Sequence, residues 1–270
     1  MTNLFWLWAF FVHLWFSFRY MKMIKSLLIS VLFLAQLGAS AQSPTNLENK
    51  ILYRKEWTLD ILLHSNSSWG IGYRRGTHKT YFRHKMYEIE LMGMKHPKEI
   101  KTQNPIFTNA RKYVYGKLNS FYILHGGIGM QRLLNTKPYW GGVEVKYILM
   151  GGFSLGMTIP NYIYVIKSVD NMGNYKIETE RYNPDVHLQD NIYGNGPVLK
   201  GIWETSFHPG VYAKAGLNFE FGGIDQTIWA LEIGGFVDGY LTEIPIMAYN
   251  TNQRLFTSLY LSLHFGKRKN

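Results

Sequence analysis

The sequence predicts an all-β fold, a transmembrane antiparallel up-and-down β-barrel of eight strands, with ten as the alternative. Three observations predict it. The first is residues 254–265, RLFTSLYLSLHF, where Leu255, Thr257, Leu259, Leu261, Leu263 and Phe265 share one face and Phe256, Ser258, Tyr260, Ser262 and His264 the other. This is period-2 alternation over a membrane-spanning length, ending in an aromatic. The second is that the same alternation recurs along the chain between glycine-, proline- and asparagine-bearing breaks. The third is composition: aromatics make up 16% and there are 26 glycines, which suits tilted, kinked strands with aromatic girdles. The chain is on average too polar for a helical membrane protein, as expected when half of each strand faces inward. With 270 residues it is long enough for one barrel, and with no cysteine it holds no disulfide framework.

The N-terminal region carries an address. Met21-Lys22-Met23-Ile24-Lys25 is a basic start, residues 26–37 form an apolar run, and Ala39-Ser40-Ala41 supplies small residues for cleavage before Gln42. Residues 21–41 therefore read as a secretory signal peptide. The apolar stretch in residues 1–20 reads as an upstream start called in error, because a complete signal begins afresh at Met21. Removing residues 1–41 takes away Arg19, Lys22 and Lys25, leaving 26 basic against 18 acidic side chains, +8. Residues 42–56 read as a periplasmic lead and 57–270 as the barrel.

Along the barrel, Trp57, Leu59, Ile61, Leu63, Trp69, Ile71 and Tyr73 alternate with polar or small residues without a slip of phase. Residues 57–75 are thus either one long strand or a hairpin turning at Asn66-Ser67. After a turn at residues 76–79 comes a strand to Gly93, with Tyr87, Ile89 and Leu91 opposite His84, Glu88 and Glu90. Residues 95–117 break the pattern with Pro97 and Pro105, and Thr108 is placed to cap a short helix to Tyr115. Residues 118–133 resume as a kinked strand at Gly126, Gly127 and Gly129. Residues 143–149 and 153–159 read as a hairpin turning at Gly151-Gly152. A long polar connection, 167–207, leads to strands at 211–221 and 229–233, a loop at 239–253 and the terminal strand. Taking 57–75 as one strand gives eight; splitting it and adding 110–115 gives ten.

Parity then assigns sides. Both termini of a single-chain bacterial barrel lie in the periplasm, so the connections at 151–152 and 222–226 fall inside and those at 167–207 and 239–253 outside. Residues 95–117 become a long basic periplasmic connection bearing Lys95, Lys98, Lys101, Arg111, Lys112 and Lys117, facing anionic headgroups or simply water.

The chemistry-bearing residues are mostly charges on the polar faces: Asp60, Arg74, Glu88, Glu90, Glu144, Lys146, Lys214, Glu220 and Glu232. Ionised groups inside a closed barrel must pair or meet water. An eight-stranded barrel is just wide enough for its side chains to fill it, so these residues predict an interior ionic network, and ten strands would favour a narrow hydrophilic channel. Arg75, Lys79, Arg83 and Lys85 are expected at the external rim, within reach of lipopolysaccharide phosphates. Trp57, Trp69, Tyr73, Tyr139, Trp140, Phe219, Phe221 and Trp229 include the expected interfacial anchors. Ser206 and His208 fall on one strand face with Glu204 nearby, the minimum for a lipid-modifying site, and nothing else in the sequence supports one. Asp185, His187 and Asp190 are a weak metal set. No catalytic residues, cofactor or metal are assigned, and a basic balance on an exported chain does not argue for nucleic acid.

The stretches MYEIELMGMKHPKEIK, YVYGKLNSFYIL, YWGGVEVKY and the terminal YLSLHFGKRKN resemble small outer-membrane β-barrel proteins of Bacteroidota type, over most of residues 57–270. The resemblance implies the outer membrane as location, lipids and lipopolysaccharide as surroundings, barrel-assembly machinery that recognises the C-terminal strand, and a monomer. It implies no activity. Phe265 is followed by Gly266-Lys267-Arg268-Lys269-Asn270, so the terminal aromatic is not at the extreme end.

Overall fold

In a computed structural model, the described residues are 55–66, 68–80, 82–107, 109–136, 142–168, 175–221 and 226–269. The upstream segment, the signal peptide, the lead to residue 54, Thr108, Tyr139 and Trp140 lie outside them. Among the described residues thirteen strands follow in order: β1 (Lys55–His64), β2 (Ser68–Thr80), β3 (Arg83–Met94), β4 (Lys101–Thr102), β5 (Tyr113–Val114), β6 (Asn119–Asn135), β7 (Glu144–Pro160), β8 (Tyr162–Ser168), β9 (Tyr175–Arg181), β10 (Ile192–Asn195), β11 (Ser206–Phe221), β12 (Thr227–Ile244) and β13 (Gln253–Lys269).

Eight of them close into an antiparallel barrel in the order β1-β13-β12-β11-β7-β6-β3-β2. Neighbours in the ring are neighbours in the chain, so this is an up-and-down barrel, sealed where Lys55 pairs Lys269 and His64 pairs Tyr260. Closure leaves no strand edge, as a membrane demands. The end where β1 starts and β13 finishes is called the base; the opposite end is the top.

The alternation inverts the usual polarity of a protein. On β13, Leu255, Leu259, Leu261 and Leu263 are exposed while Ser258, Tyr260, Ser262 and His264 are buried. On β1 and β2, Leu59, Ile61, Leu63, Trp69, Ile71 and Tyr73 face out. Residues 255–265 span ten rises of about 3.3 Å, which a strand tilt of about 40° reduces to about 25 Å, the height of a membrane's apolar band. The barrel is therefore a transmembrane one.

The count of eight is as expected, but two of its members differ. Residues 57–75 are two strands joined at 65–67, so the hairpin alternative describes this segment. Residues 144–160, expected as a hairpin turning at Gly151-Gly152, form the single strand β7. The two differences cancel. The glycines there answer to packing: Gly127 pairs Gly152 across the β6–β7 ladder. A Cβ on Gly127 would lie 2.1 Å from the Tyr212 hydroxyl, and one on Gly152 2.3 Å from the Gly126 carbonyl oxygen. Gly216 and Gly234 make a second such pair, under the hydroxyl of Tyr260. Glycine here lets a tyrosine lie against the wall.

Moving one turn reverses the sides of everything upstream of it. Residues 95–118, expected at the same end as the termini, connect β3 to β6 at the top, and residues 81–82 connect β2 to β3 at the base. No helix forms in 109–115; β5 pairs β4 instead. Strand β1 begins at Lys55, two residues inside the expected lead, and β12 runs on to Ile244 through residues expected as loop.

Candidate functional site

Inward-facing side chains fill the barrel in three layers. The middle layer is ionic. Arg74 on β2 donates from Nε and Nη2 to Glu88 Oε2 at 3.0 and 2.6 Å, and from Nη1 and Nη2 to the two oxygens of Glu232 at 2.7 and 3.2 Å. Glu232 is the hub: it also accepts from Tyr260 Oη at 2.7 Å and Asn218 Nδ2 at 3.2 Å, and His264 Nε2 lies 3.0 Å away. His264 meets Asp60 with its other nitrogen. Lys214 bridges Glu88 at 3.3 Å and Glu90 at 2.5 Å. His125 donates from Nε2 to Asp238 at 2.7 Å, and stacks on Tyr212 at 3.9 Å between ring centroids. These charges are buried and cross-linked, which offsets the cost of removing them from water.

The base layer holds Lys146, 2.7 Å from both Glu220 and Glu144, with Arg268 2.5 Å from Glu220. Glu56 sits beside them, 3.3 Å from His78 Nε2, 3.1 Å from His84 Nδ1 and 3.5 Å from Arg268 Nε. A cavity of about 20 Å³ between Glu56, Arg74, Lys146, Asn218 and Glu220 has room for about one water. The top layer is apolar: Leu62, Met92, Phe121, Ile123, Phe236 and Phe256 pack with Ile246 and Met247 of the 245–252 connection. The lumen is thus closed by side chains at the top.

Eight of the nine expected network residues are buried inside the barrel; Glu144 is only half-buried, at its base. Among the participants outside that set, six show why the sequence reading missed them, each for a local reason. Asp238 lay between the strand read to 233 and the loop read from 239, and Glu56 in residues taken as lead. Arg268 follows Phe265, taken as the strand's end. His125, His264 and Tyr260 were on polar faces but carry no fixed charge. Continuing the even-numbered parity of β1, β12 and β13 outward finds the first three.

The four residues expected at the external rim are at the base. Arg75, Lys79 and Arg83 are exposed and Lys85 lies over the Tyr87 ring, 5.1 Å from its centroid. They flank the 81–82 turn, at the same end as the start of β1, so they cannot share an end with the long connections. Outward-facing Lys55, Arg132, Lys267 and Lys269 extend them into a basic rim. Just above it stand Tyr73, Phe221 and Trp229, exposed, with Trp229 edge-on to Phe265 at 4.9 Å.

The top carries a folded cap instead of loose connections. Strands β10, β8 and β9 form a sheet over a core of Tyr113, Ile163, Val165, Tyr182 and Ile192. Burial pushes the Tyr182 hydroxyl up to about 12. Buried Asn104 donates to the Ile192 carbonyl at 2.7 Å and to that of Asp190 at 3.1 Å, and accepts from Ile106 N at 2.8 Å. It thereby pins 95–118 to the 161–205 connection. Asn119 Nδ2 donates to the Pro245 carbonyl at 2.6 Å and Ala248 N to that of Gly116 at 2.7 Å, tying in the third connection. Gly116, at φ 78°, makes the turn a side chain would strain.

The catalytic candidate is not assembled. His208 spends Nε2 on Thr158 at 3.1 Å and Nδ1 on Thr242 at 2.7 Å, not on Ser206. Glu204 instead accepts from the Tyr162 hydroxyl at 2.6 Å. His187 is likewise committed: Nδ1 accepts from Asn183 N at 3.0 Å, and Nε2 is 3.1 Å from Glu180, while Asp185 and Asp190 are exposed. The Glu180 carboxyl is held below the usual range, first by Lys167 and then by His187.

Among solved structures the chain is similar to the N-terminal β-barrel domain of Pseudomonas aeruginosa OprF, at 8% identity over 79% of this chain and 97% of that one, with a TM-score of 0.32. No family model and no curated protein matches it.

Proposed function

We propose that the chain is an integral outer-membrane barrel, closed to solutes, whose work is structural or lies in surface interaction through its cap. The observation that carries this is the division of the lumen: a cross-linked ionic middle beneath an apolar top layer, with 245–252 packed onto that layer. A narrow pore would need a continuous wet path. What supports a closed barrel over one is that Phe121, Phe236 and Phe256 stand where that path would exit.

With both termini in the periplasm, the cap of 95–118, 161–205 and 245–252 faces the exterior. The basic rim then meets phosphate-bearing headgroups of the inner leaflet, its cations offset by aromatics at the interface. β13, with its apolar outer face and Phe265, is the segment for the assembly machinery to engage, and the closed ring needs no second copy. A catalytic role is not part of the proposal; what supports leaving it out is that both His208 nitrogens are spent away from Ser206.

The deciding experiment is planar-bilayer recording on the refolded protein. We expect no steady current. A reproducible ohmic conductance abolished by heat denaturation of the sample would refute the closed barrel.

A further inference from the structure

Three ionisable side chains from three strands converge at the base in a way the ionic network does not require. Glu56 points inward from β1, His78 from β2 and His84 from β3, on either side of the 81–82 turn. Their ligand atoms all lie within 4.8 Å of one another. The two imidazoles lie 3.7 Å apart between centroids and tilted by 30°, and both turn a nitrogen to the same carboxylate. We infer that Glu56, His78 and His84 form a binding site for a divalent transition-metal ion of the zinc class, placed to clamp the base of the barrel.

The contacts are longer than charge-assisted hydrogen bonds and suit coordination. A hydrogen bond from an imidazole to a carboxylate is shortest when charged, about 2.7–2.9 Å. Here the contacts are 3.3 Å, His78 Nε2 to Glu56 Oε2, and 3.1 Å, His84 Nδ1 to Glu56 Oε1. Zinc with bonds of about 2.0–2.1 Å spaces its tetrahedral ligands about 3.3 Å apart. The separations are those of ligand to ligand. Two imidazole nitrogens and one carboxylate, each of whose oxygens faces one histidine, also make the usual donor set of an open zinc site, in which water takes the fourth position. Glu56 is 4% exposed and His84 5%, so an ion would be held largely dry. His78, 12% exposed in its side chain, is the point of entry.

Nearby cations do not forbid this. Arg268 Nε is 3.5 Å from Glu56, but its guanidinium is held at 2.5 Å by Glu220, which also takes Lys146 at 2.7 Å. Glu220 and Glu144 thus offset the two charges that would otherwise repel an ion. The consequence is mechanical. β1 is hydrogen-bonded on one side to β13 at the closing seam and on the other to β2. One ion would tie the start of β1, at Lys55 and Glu56, to the β2–β3 hairpin through side chains as well as backbone.

The test uses the full-length protein, made without a polyhistidine tag, stripped with chelator, and titrated with Zn²⁺ while bound metal is counted by mass spectrometry. We expect one equivalent per chain, and a tetrahedral absorption band when Co²⁺ replaces Zn²⁺. His84→Ala and His78→Ala should each weaken binding at least about 100-fold, since even an outer-shell partner's loss costs about 10–100-fold. His187→Ala, in the cap, should bind as the parent does. Zn²⁺ should raise the parent's unfolding midpoint and leave that of His78→Ala unmoved, because only a ligand of the folded state stabilises it. Should His84→Ala fail to fold, His78→Gln, at the more exposed of the two histidines, carries the comparison. A stripped parent that takes up no Zn²⁺, an octahedral Co²⁺ spectrum, or variants that bind like the parent would each overturn the site.

Discussion

Replacing Arg74 by methionine removes the donor that joins two buried carboxylates while keeping most of the side chain's volume. The four hydrogen bonds it makes are to Glu88 and Glu232, both with fully buried side chains. Lys214 still reaches Glu88, and Tyr260, Asn218 and His264 still surround Glu232. Neither carboxylate is then bare, but the layer has lost one of its two fixed cations and keeps Asp60, Glu88, Glu90, Glu232 and Asp238. Breaking a buried pair from one side costs about 3–5 kcal/mol. At about 1.4 kcal/mol per tenfold, that is a loss of roughly a hundred- to several thousand-fold in the folding constant. The assay is urea unfolding in lipid vesicles, followed by tryptophan fluorescence, with Trp69 and Trp229 on the outer wall reporting contact with lipid. The matched control is Arg75→Met, one residue along and facing out at the base, where an exposed cation is worth about 0–1 kcal/mol. Replacing Arg74, Glu88 and Glu232 together by apolar residues of like volume should recover most of the loss, because the unpaired charges go with it. If Arg74→Met costs no more than Arg75→Met, the ionic layer is not what the barrel's stability rests on.

Gly127→Ala should destabilise by about 1–3 kcal/mol, because its Cβ would lie 2.1 Å from the Tyr212 hydroxyl, whereas Gly126→Ala, with open space around it, should be nearly neutral; paired unfolding midpoints test this. Asn104→Ala leaves buried carbonyls and amides without their partner, at about 1–3 kcal/mol; limited proteolysis should then cut within 95–118 at least about tenfold faster while the barrel fragment survives. Ser206→Ala and His208→Ala should leave the lipid profile of expressing cells unchanged by mass spectrometry, and a profile that returns to that of cells lacking the gene would restore the catalytic reading. Protease added to intact cells should reach the cap and spare the base, since orientation follows from the termini.

Which parts of this were legible in the sequence depends on whether neighbours in the chain or neighbours in space decide them. The wall was legible: one face of each strand must meet lipid, so residues such as Leu59, Leu261 and Ile233 write their exposure directly into the alternation. Part of the interior was legible too, because Arg74, Glu88 and Glu232 are charges on the opposite parity. The partnership between them was not, since Arg74 and Glu232 stand 158 residues apart and meet only when the ring closes. The cap was least legible. Its strands β8 and β9 are short and its core of five residues is spread from Tyr113 to Ile192, so no stretch of it has a period long enough to stand out.

The two turns that differ from expectation are both matters of parity, which leaves the first open and decides the second. In an antiparallel pair, facing residues i and j keep a constant sum. When the loop has an odd number of residues that sum is even, so odd-numbered side chains face the same way on both strands. The 65–67 loop is of this kind: Leu63 pairs Trp69 and His64 pairs Ser68, and the outer wall stays odd-numbered through the turn. An unbroken phase therefore said nothing against a hairpin there. A two-residue turn at Gly151-Gly152 would make the sum odd and set Leu149 beside Ser154, placing a leucine and a serine on the same side of the wall. Yet Leu149, Phe153 and Leu155 stay on one phase, and the structure gives them one continuous strand with Ser154 buried against Tyr240 at 2.9 Å. The glycine pair drew attention as a turn because glycine favours turns. Its neighbours' parity excludes that turn; Gly152 instead lies against the backbone of Gly126 and Gly127, and Gly127 leaves the space taken by Tyr212, which stacks on His125. The same correction moves the basic residues 95–117 to the top and Arg75, Lys79, Arg83 and Lys85 to the base. A single misplaced turn thus carries, through parity, to the side of the membrane on which each rim charge acts.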